Sequence, residues 1–571
     1  MQLSEWKHAL VLAKSNKKLY NYLSLFLRWR SIILTLTKDN IIKNREAWLS
    51  AGFDLPVFDL DAVEQQTKAH PTWLHIGPGN IFRAFPALHV QQLINEGLHD
   101  TGIIACKTYD EESIKTAFTP YDNLTCVVTL LSDGEKKMAI AATLVEVLGL
   151  SSERARLTDV FISPSLQLVS FTITEKAYQT HDANGQVLPQ IQQELNGNPD
   201  EVVSVPALVA ALLNKRYQAN AQPLALVSMD NCAYNGDLLK KSVIFVANAW
   251  LDRGIITKDL IDYLENSITF PITMIDKITP LPSQDISNHL KTMGYTDFEI
   301  KTTAKNTPVA TFVNAEETGY LVIEDLFPNG KPPLEKCGII FTDRETVVNI
   351  EKMKVGACLN PLHTIIAIFG SLLGYTSVSQ SMKNEGLVKL IKTAGYTEAL
   401  PHVPDPGVIS PQDFIDTVIN KRFPNPFIPD TPQRIATDTS LKIPVRFGEV
   451  LKTMRSKGSD LLQLVAIPFF IAGWFRYLMQ INDEGQKFEL SPDPMLHELI
   501  PIFSAYQLGQ NNLFNPKTIE LLQNKAIFGI DLVACGLATK IQAYFDLLTE
   551  KPGAIHQALE KFAKQSQGDS L

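Results

Sequence analysis

The sequence has no C-x-x-C pair, although it holds six cysteines, Cys106, Cys126, Cys232, Cys337, Cys358 and Cys535. Scattered thiols in apolar runs read as buried and reduced, which excludes a disulfide scaffold and points to the cytoplasm. There is no H-E-x-x-H, and none of the 11 histidines stands beside a second ligand at metal spacing, so no dedicated metal site is expected. Positive charge is not in excess: 52 Lys and Arg against 61 Asp and Glu give −9. An acidic surface repels phosphate backbones and argues against a nucleic-acid partner. Long uninterrupted apolar runs are missing too. Residues 19–36 come nearest, but Arg28 and Arg30 break them, and two such charges are costly inside a bilayer. That stretch reads as an amphipathic surface helix or an extension, with neither a membrane span nor a signal cleavage site expected. No Gly/Ser linker, low-complexity tract or internal repeat interrupts the rest.

What the sequence does have is ordinary globular composition, 45% hydrophobic and 20% charged, over 571 residues. At roughly 100–200 residues per domain, that length calls for two or three domains. Residues 73–76 (WLHI), 102–106, 127–131, 166–174 and 224–229 are short apolar, β-prone runs. Helical spacing lies between them, as in residues 80–97 with Ile81, Phe85, Leu88, Leu93 and Ile94. Strands alternating with helices imply a parallel sheet covered on both faces. Beyond about residue 345 the pattern becomes helical, including residues 461–481 around Phe469 and Trp474 and residues 527–550. The expected architecture is therefore α/β: residues 37–345 form a Rossmann-type parallel-sheet domain, residues 346–571 a mainly helical one, and residues 1–36 an extension.

Between the first strand and first helix stands His75-Ile76-Gly77-Pro78-Gly79-Asn80-Ile81-Phe82-Arg83-Ala84. Gly77 can turn sharply and Gly79 can admit a pyrophosphate to the backbone, with the next helix offering free N–H groups. A third glycine at the fingerprint spacing is absent; Phe82 stands there. After the second strand, Asp110 is placed to bond an adenosine ribose and repel a 2′-phosphate, favouring NAD. Nearby Lys107 argues the other way, and a solvated loop carboxylate is the alternative.

Six fragments, in order, resemble the mannitol dehydrogenase family: GPGNIFRA (77–84), SFTITEKAY (170–178), SMDNCAYNGDLL (228–239), TMIDKITP (273–280), KVGACLNPLH with GSLLGY (354–375) and RIATDTSLK (434–442). The resemblance implies a Rossmann-type NAD-binding domain, a helical domain covering the substrate, an active site between them and no catalytic metal. It implies hydride transfer between NAD and a secondary alcohol of a small sugar acid or polyol. The keto-hexuronate/aldonate pair D-fructuronate/D-mannonate is the expected substrate. A mannitol 2-dehydrogenase, a tagaturonate reductase and an inactive NAD-binding sensor are the alternatives. The oligomeric state is not readable, with a tilt toward a monomer.

By the same resemblance Gly77, Gly79, Asn80, Ile81, Phe82, Arg83 and Asp110 serve the cofactor. Lys354 is the general acid–base, Asn360 bonds the reacting oxygen, and His363 orients substrate or base. Asp230, Asn231, Arg434 and Lys442 lie near substrate, and the two cations suit a carboxylate. Asn231 could instead cap the helix after it. A lysine acting as base at neutral pH needs burial or a neighbouring cation. Asn360 and His363, three apart, share a helix face. One departure stands out: the family lysine lies five residues before this asparagine, whereas Lys354 lies six before it. Either the helix starts late, or it carries a bulge, or the base is another residue such as Lys352.

Overall fold

The structure is a computed structural model that describes residues 34–564 except Thr296 and Asn511. The N-terminal run therefore lies outside the described residues for nearly its whole length. Leu36 already belongs to the fold: it is fully buried and its N–H donates to Asp297 Oδ2 at 2.7 Å. The chain divides into two compact units: the first runs to Leu131 and resumes over Glu135–Thr342, and the second takes Ser132–Gly134 and the chain from Asp343 onward.

Six short strands make the central sheet of the first unit. They are β1 (Trp73–Ile76), β2 (Ile103–Lys107), β3 (Leu144–Gly149), β4 (Leu168–Phe171), β5 (Leu224–Ser228) and β6 (Ile268–Thr269). Their spatial order is β3-β2-β1-β4-β5-β6 and every neighbouring pair is parallel. Every residue of β1, β4 and β5 is buried, as expected for strands covered on both faces. This is the doubly wound order 3-2-1-4-5-6, which reverses between β1 and β4 and leaves a crevice at the carboxyl ends of those strands.

Two expectations need correcting here. Residues 127–131 form a strand, Thr125–Leu130, but outside the parallel sheet. It pairs antiparallel with Lys136–Ala141 across a tight turn at Gly134 (φ 95°), and parallel with Phe312–Glu316. A short turn can only return a strand antiparallel, and that is what separates this run from the helix-linked strands. Residues 80–97 are two helices, α1 (Asn80–Ala84) and α2 (Pro86–Asn95). Pro86 lacks the N–H needed to continue α1 and begins α2 instead.

The second unit is helical. Residues 344–372 run as α3 (Arg344–Met353), a π-helical turn (Lys354–Cys358) and α4 (Asn360–Leu372). This composite is long and apolar enough to cross a membrane, yet 78% of its apolar window is buried inside the protein. Helix α5 (Ala466–Leu478) is buried at all of its positions. Residues 527–550 do not form one helix. Gly529 and Gly536, both at φ 76°, separate Lys525–Phe528 from Leu537–Thr549. At Gly529 an added Cβ would stand 2.7 Å from Gly448 Cα, so two backbones meet there.

Candidate active site

The turn between β1 and α1 is held from beneath. His75 is fully buried; its Nδ1 lies 2.7 Å from Ser170 Oγ on β4 and its Nε2 2.9 Å from Thr172 Oγ1. Burial pushes this imidazole down to about 3, so it stays neutral. Phe82 stacks on it, centroids 3.4 Å apart and planes 6° from parallel. The aromatic pair occupies the space that close helix–strand packing on a third glycine would use, which accounts for the missing glycine. Gly77 is at φ 87°, and a Cβ there would stand 2.5 Å from the Thr172 carbonyl oxygen. Gly79 is different: a Cβ there would meet only the Gly77 carbonyl oxygen, at 3.8 Å. Its outer side is open.

Of the other turn residues, Ile81 is half-buried and Phe82 fully buried. Arg83 points inward, donating to Asn80 Oδ1 (2.9 Å) and the Ala310 carbonyl (3.0 Å), and burial pushes it down to about 10. Asn80, Phe82 and Arg83 thus brace the turn, while Gly77 and Gly79 form its lip.

Asp110 follows β2 by three residues, in the left-handed region at φ 55°. It is 5% exposed, which removes the solvated-loop alternative. Thr303 Oγ1 donates to its Oδ2 at 2.8 Å, while its Oδ1 is buried without a hydrogen-bond partner among the described residues. Lys107 is pushed down to about 8 by burial and then by Arg83.

At the end of β5 the Asp230 carboxylate accepts from the Tyr178 hydroxyl and from Ser228 Oγ (3.4 Å). Burial pushes Asp230 up to about 7, against the pull of those bonds. Asn231 is exposed. It does not cap the following helix: Tyr234, at φ 54°, precedes Asn235–Asp252. Tyr178 escaped the sequence reading although it closes the SFTITEKAY fragment, because a tyrosine near a strand end carries no local signal for an acid 52 residues away.

In the second unit the one-residue offset has a structural answer. Lys354 opens the π turn, and the Leu359 N–H bonds the Lys354 carbonyl at 3.1 Å, five residues back. The turn is the expected bulge, and α4 itself begins only at Asn360, six residues past Lys354. Lys354 is 3% exposed with its Nζ 3.0 Å from Glu351 Oε2, whereas Lys352 is exposed. The neighbour of Lys354 is thus a carboxylate, where a cation was one expected option.

Asn360 begins α4 and His363 follows on the same face. The His363 ring stacks on Phe423 (centroids 5.1 Å), and its buried Nε2 lies 3.7 Å from Asp430 Oδ2, too far to bond. Burial, then Arg446, Arg434, Arg422 and Lys442, push it down to about 3. Arg434 is paired with Asp430 and its side chain is 66% exposed. Lys442 donates to the carbonyls of Ile435 (2.9 Å) and Thr437, and burial, then Arg446, push it down to about 8. Arg446, on the π turn Pro444–Gly448, donates to Thr364 Oγ1 (2.5 Å) and the Asn360 carbonyl (3.2 Å). Within this unit Arg434, Lys442 and Arg446 therefore gather around Asn360 and neutral His363, with Asp430 among them. Among the described residues no three His, Cys, Asp or Glu side chains gather as for a metal.

The Mannitol dehydrogenase Rossmann domain matches residues 71–336, and the Mannitol dehydrogenase C-terminal domain matches residues 346–547. The chain belongs to the mannitol dehydrogenase family. It is 45% identical to the D-mannonate oxidoreductase of Thermotoga maritima over 535 residues, covering 92% of this chain and 99% of that protein. The Pseudomonas fluorescens mannitol 2-dehydrogenase, solved as a ternary complex with NAD and D-mannitol, matches with a TM-score of 0.66 and 25% identity. That match covers 93% of this chain and 99% of that one. A D-sorbitol dehydrogenase, solved substrate-free, matches in fold with a TM-score of 0.75 at 24% identity, covering 88% and 97%.

The residues of this mannitol dehydrogenase family member fit an NAD-type dinucleotide. Gly79 leaves the space a pyrophosphate needs at the crevice where the strand order reverses. Asp110 Oδ1, buried and without a hydrogen-bond partner among the described residues, is an acceptor of the kind that suits a ribose hydroxyl and repels a 2′-phosphate.

Proposed function

We propose that the chain is the NAD-linked oxidoreductase that interconverts D-mannonate and D-fructuronate, and that it works as a cytoplasmic monomer. One observation carries the substrate: the likeness to the D-mannonate oxidoreductase runs the whole length of that protein. The cations around His363 support it, because Asp430 answers Arg434 and a sugar acid brings a carboxylate for another.

On this reading residues 37–345 bind NAD and residues 346–571 hold the sugar acid. NAD, when bound, accepts or returns the hydride. Lys354 Nζ takes the proton of the reacting hydroxyl in oxidation and returns it to the carbonyl oxygen in reduction. Burial keeps bulk water from that amine, and Glu351 Oε2 at 3.0 Å is positioned to pass the proton on. The Asn360 amide donates to the oxygen on which charge develops, a contact that strengthens in the transition state. His363, held neutral, orients a hydroxyl without adding charge. Asp230 and Asn231 stand just past the end of β5, where ligands of parallel sheets collect.

The test is NADH consumption, followed by absorbance, with D-fructuronate, D-fructose and D-tagaturonate in parallel. The highest kcat/KM with D-fructuronate supports the proposal. A preference for D-fructose makes the protein a mannitol 2-dehydrogenase, and no turnover of any of the three refutes an enzyme of this class.

A further inference from the structure

We infer that Arg446 is the specificity residue that receives the carboxylate of the sugar acid, an inference that rests on the substrate reading above. The candidates expected from sequence were Arg434 and Lys442. Arg434 is poorly suited: its side chain is two-thirds exposed and already paired with Asp430. Lys442 presents a single ammonium spent on two backbone carbonyls.

Arg446 differs in three respects. Its guanidinium has no acidic partner among the described residues, although the side chain is half-buried and burial pushes it down to about 10. A partly desolvated cation without a counter-ion is costly, and the cost is relieved when a bound anion completes the pair. It is also held by one arm only. Nη1 bonds Thr364 Oγ1 and the Asn360 carbonyl, whereas Nη2 and Nε make no hydrogen bond among the described residues. The remaining edge is the planar fork that grips a carboxylate by two parallel bonds. Finally, both anchors lie on α4, on the face that presents Asn360 and His363. A carboxylate on Arg446 would sit at a fixed distance from the amide assigned to the reacting oxygen. After burial, Arg446 is also the charge that acts most on His363, so the two share one environment.

The sequence held this residue in KIPVRFG, directly after the RIATDTSLK fragment. It stands on a π turn packed against the π turn of Lys354, so neither helical nor strand periodicity marks it.

The test compares D-fructuronate with its methyl ester, the same sugar without the charge, on the full chain and its variants. The wild type is expected to prefer the acid by about 100-fold in kcat/KM, mostly through KM. Arg446→Met is expected to erase that preference by weakening the acid alone. Arg446→Lys, which keeps charge but loses the fork, is expected to lose about tenfold on the acid and little on the ester. Thr364→Val, which removes an anchor, should lower the melting temperature without erasing the preference. The inference is overturned if Arg446→Met weakens acid and ester equally, or if the wild type does not discriminate between them. If Arg446→Met does not fold, the Arg446→Lys ratio decides by the same criterion. A wild type that turns over D-fructose but not D-fructuronate would instead refute the substrate reading itself.

Discussion

The glycine turn of the first unit and the lysine helix of the second are built in opposite ways. At the turn, backbone forms the proposed binding surface: Gly77 and Gly79 shape the lip, and the side chains around them, His75, Phe82, Asn80 and Arg83, brace it from within. In the second unit, side chains are the proposed binding groups and backbone irregularity places them. Two π turns, Lys354–Cys358 and Pro444–Gly448, each set one cation off the α-helical register. A backbone site tolerates almost no added atoms. A side-chain site depends instead on keeping a charge and its partner in place.

The difference sets an order of expected effects. The largest is at Lys354: replacing it with Ala should lower kcat by about 10²–10⁴-fold, the span of general acid–base catalysis. Lys352→Ala, at an exposed position, should stay near wild type in the same absorbance assay. If the two variants lose activity equally, the π turn does not select the base.

Next come the glycines, which the comparison separates. Gly77→Ala places a Cβ against the Thr172 carbonyl at a positive φ, so it should cost stability by about 1–3 kcal/mol or more, read as a lower melting temperature. Gly79→Ala faces open space and should fold normally while weakening NADH binding, read by fluorescence titration. Equal melting temperatures for the two would break the distinction between support and lip.

Asp110→Asn keeps the shape but removes the charge. It should weaken NADH binding by about tenfold and NADPH binding less, narrowing the preference between them; an unchanged ratio removes Asp110 from the coenzyme site.

The last effect is on pH dependence. His75 is held near 3 in the folded protein against 6.5 when unfolded. Below about pH 6.5 the unfolded chain takes up a proton that the folded chain refuses. The stabilising contribution is complete above 6.5 and is lost as pH falls toward 3, by up to about 1.4 kcal/mol per pH unit. His75→Gln, still able to bond Ser170 and Thr172, should flatten the fall in melting temperature between pH 7 and 5.

What the sequence made legible follows from the same contrast. Buried strands such as WLHI and LALVS announce themselves by unbroken apolar runs, and a glycine turn between strand and helix is a local pattern. Asp110 was reachable because it stands a fixed few residues past β2. Tyr178 and Arg446 were not, because each acts on a partner 52 or more residues away and neither sits on a periodic face. The offset at Lys354 was visible as a number, but only the structure shows the π turn that Lys354 opens. The two helices within residues 527–550 were merged because apolar spacing continues on either side of Gly529 and Gly536.

The measurement that bears most directly on the whole account is NAD-dependent oxidation of D-mannonate against D-mannitol by the purified full chain. These substrates differ at the end of the molecule where one carries a carboxylate. The account predicts a kcat/KM at least about 100-fold higher for D-mannonate. Equal rates, or a preference for D-mannitol, would contradict it.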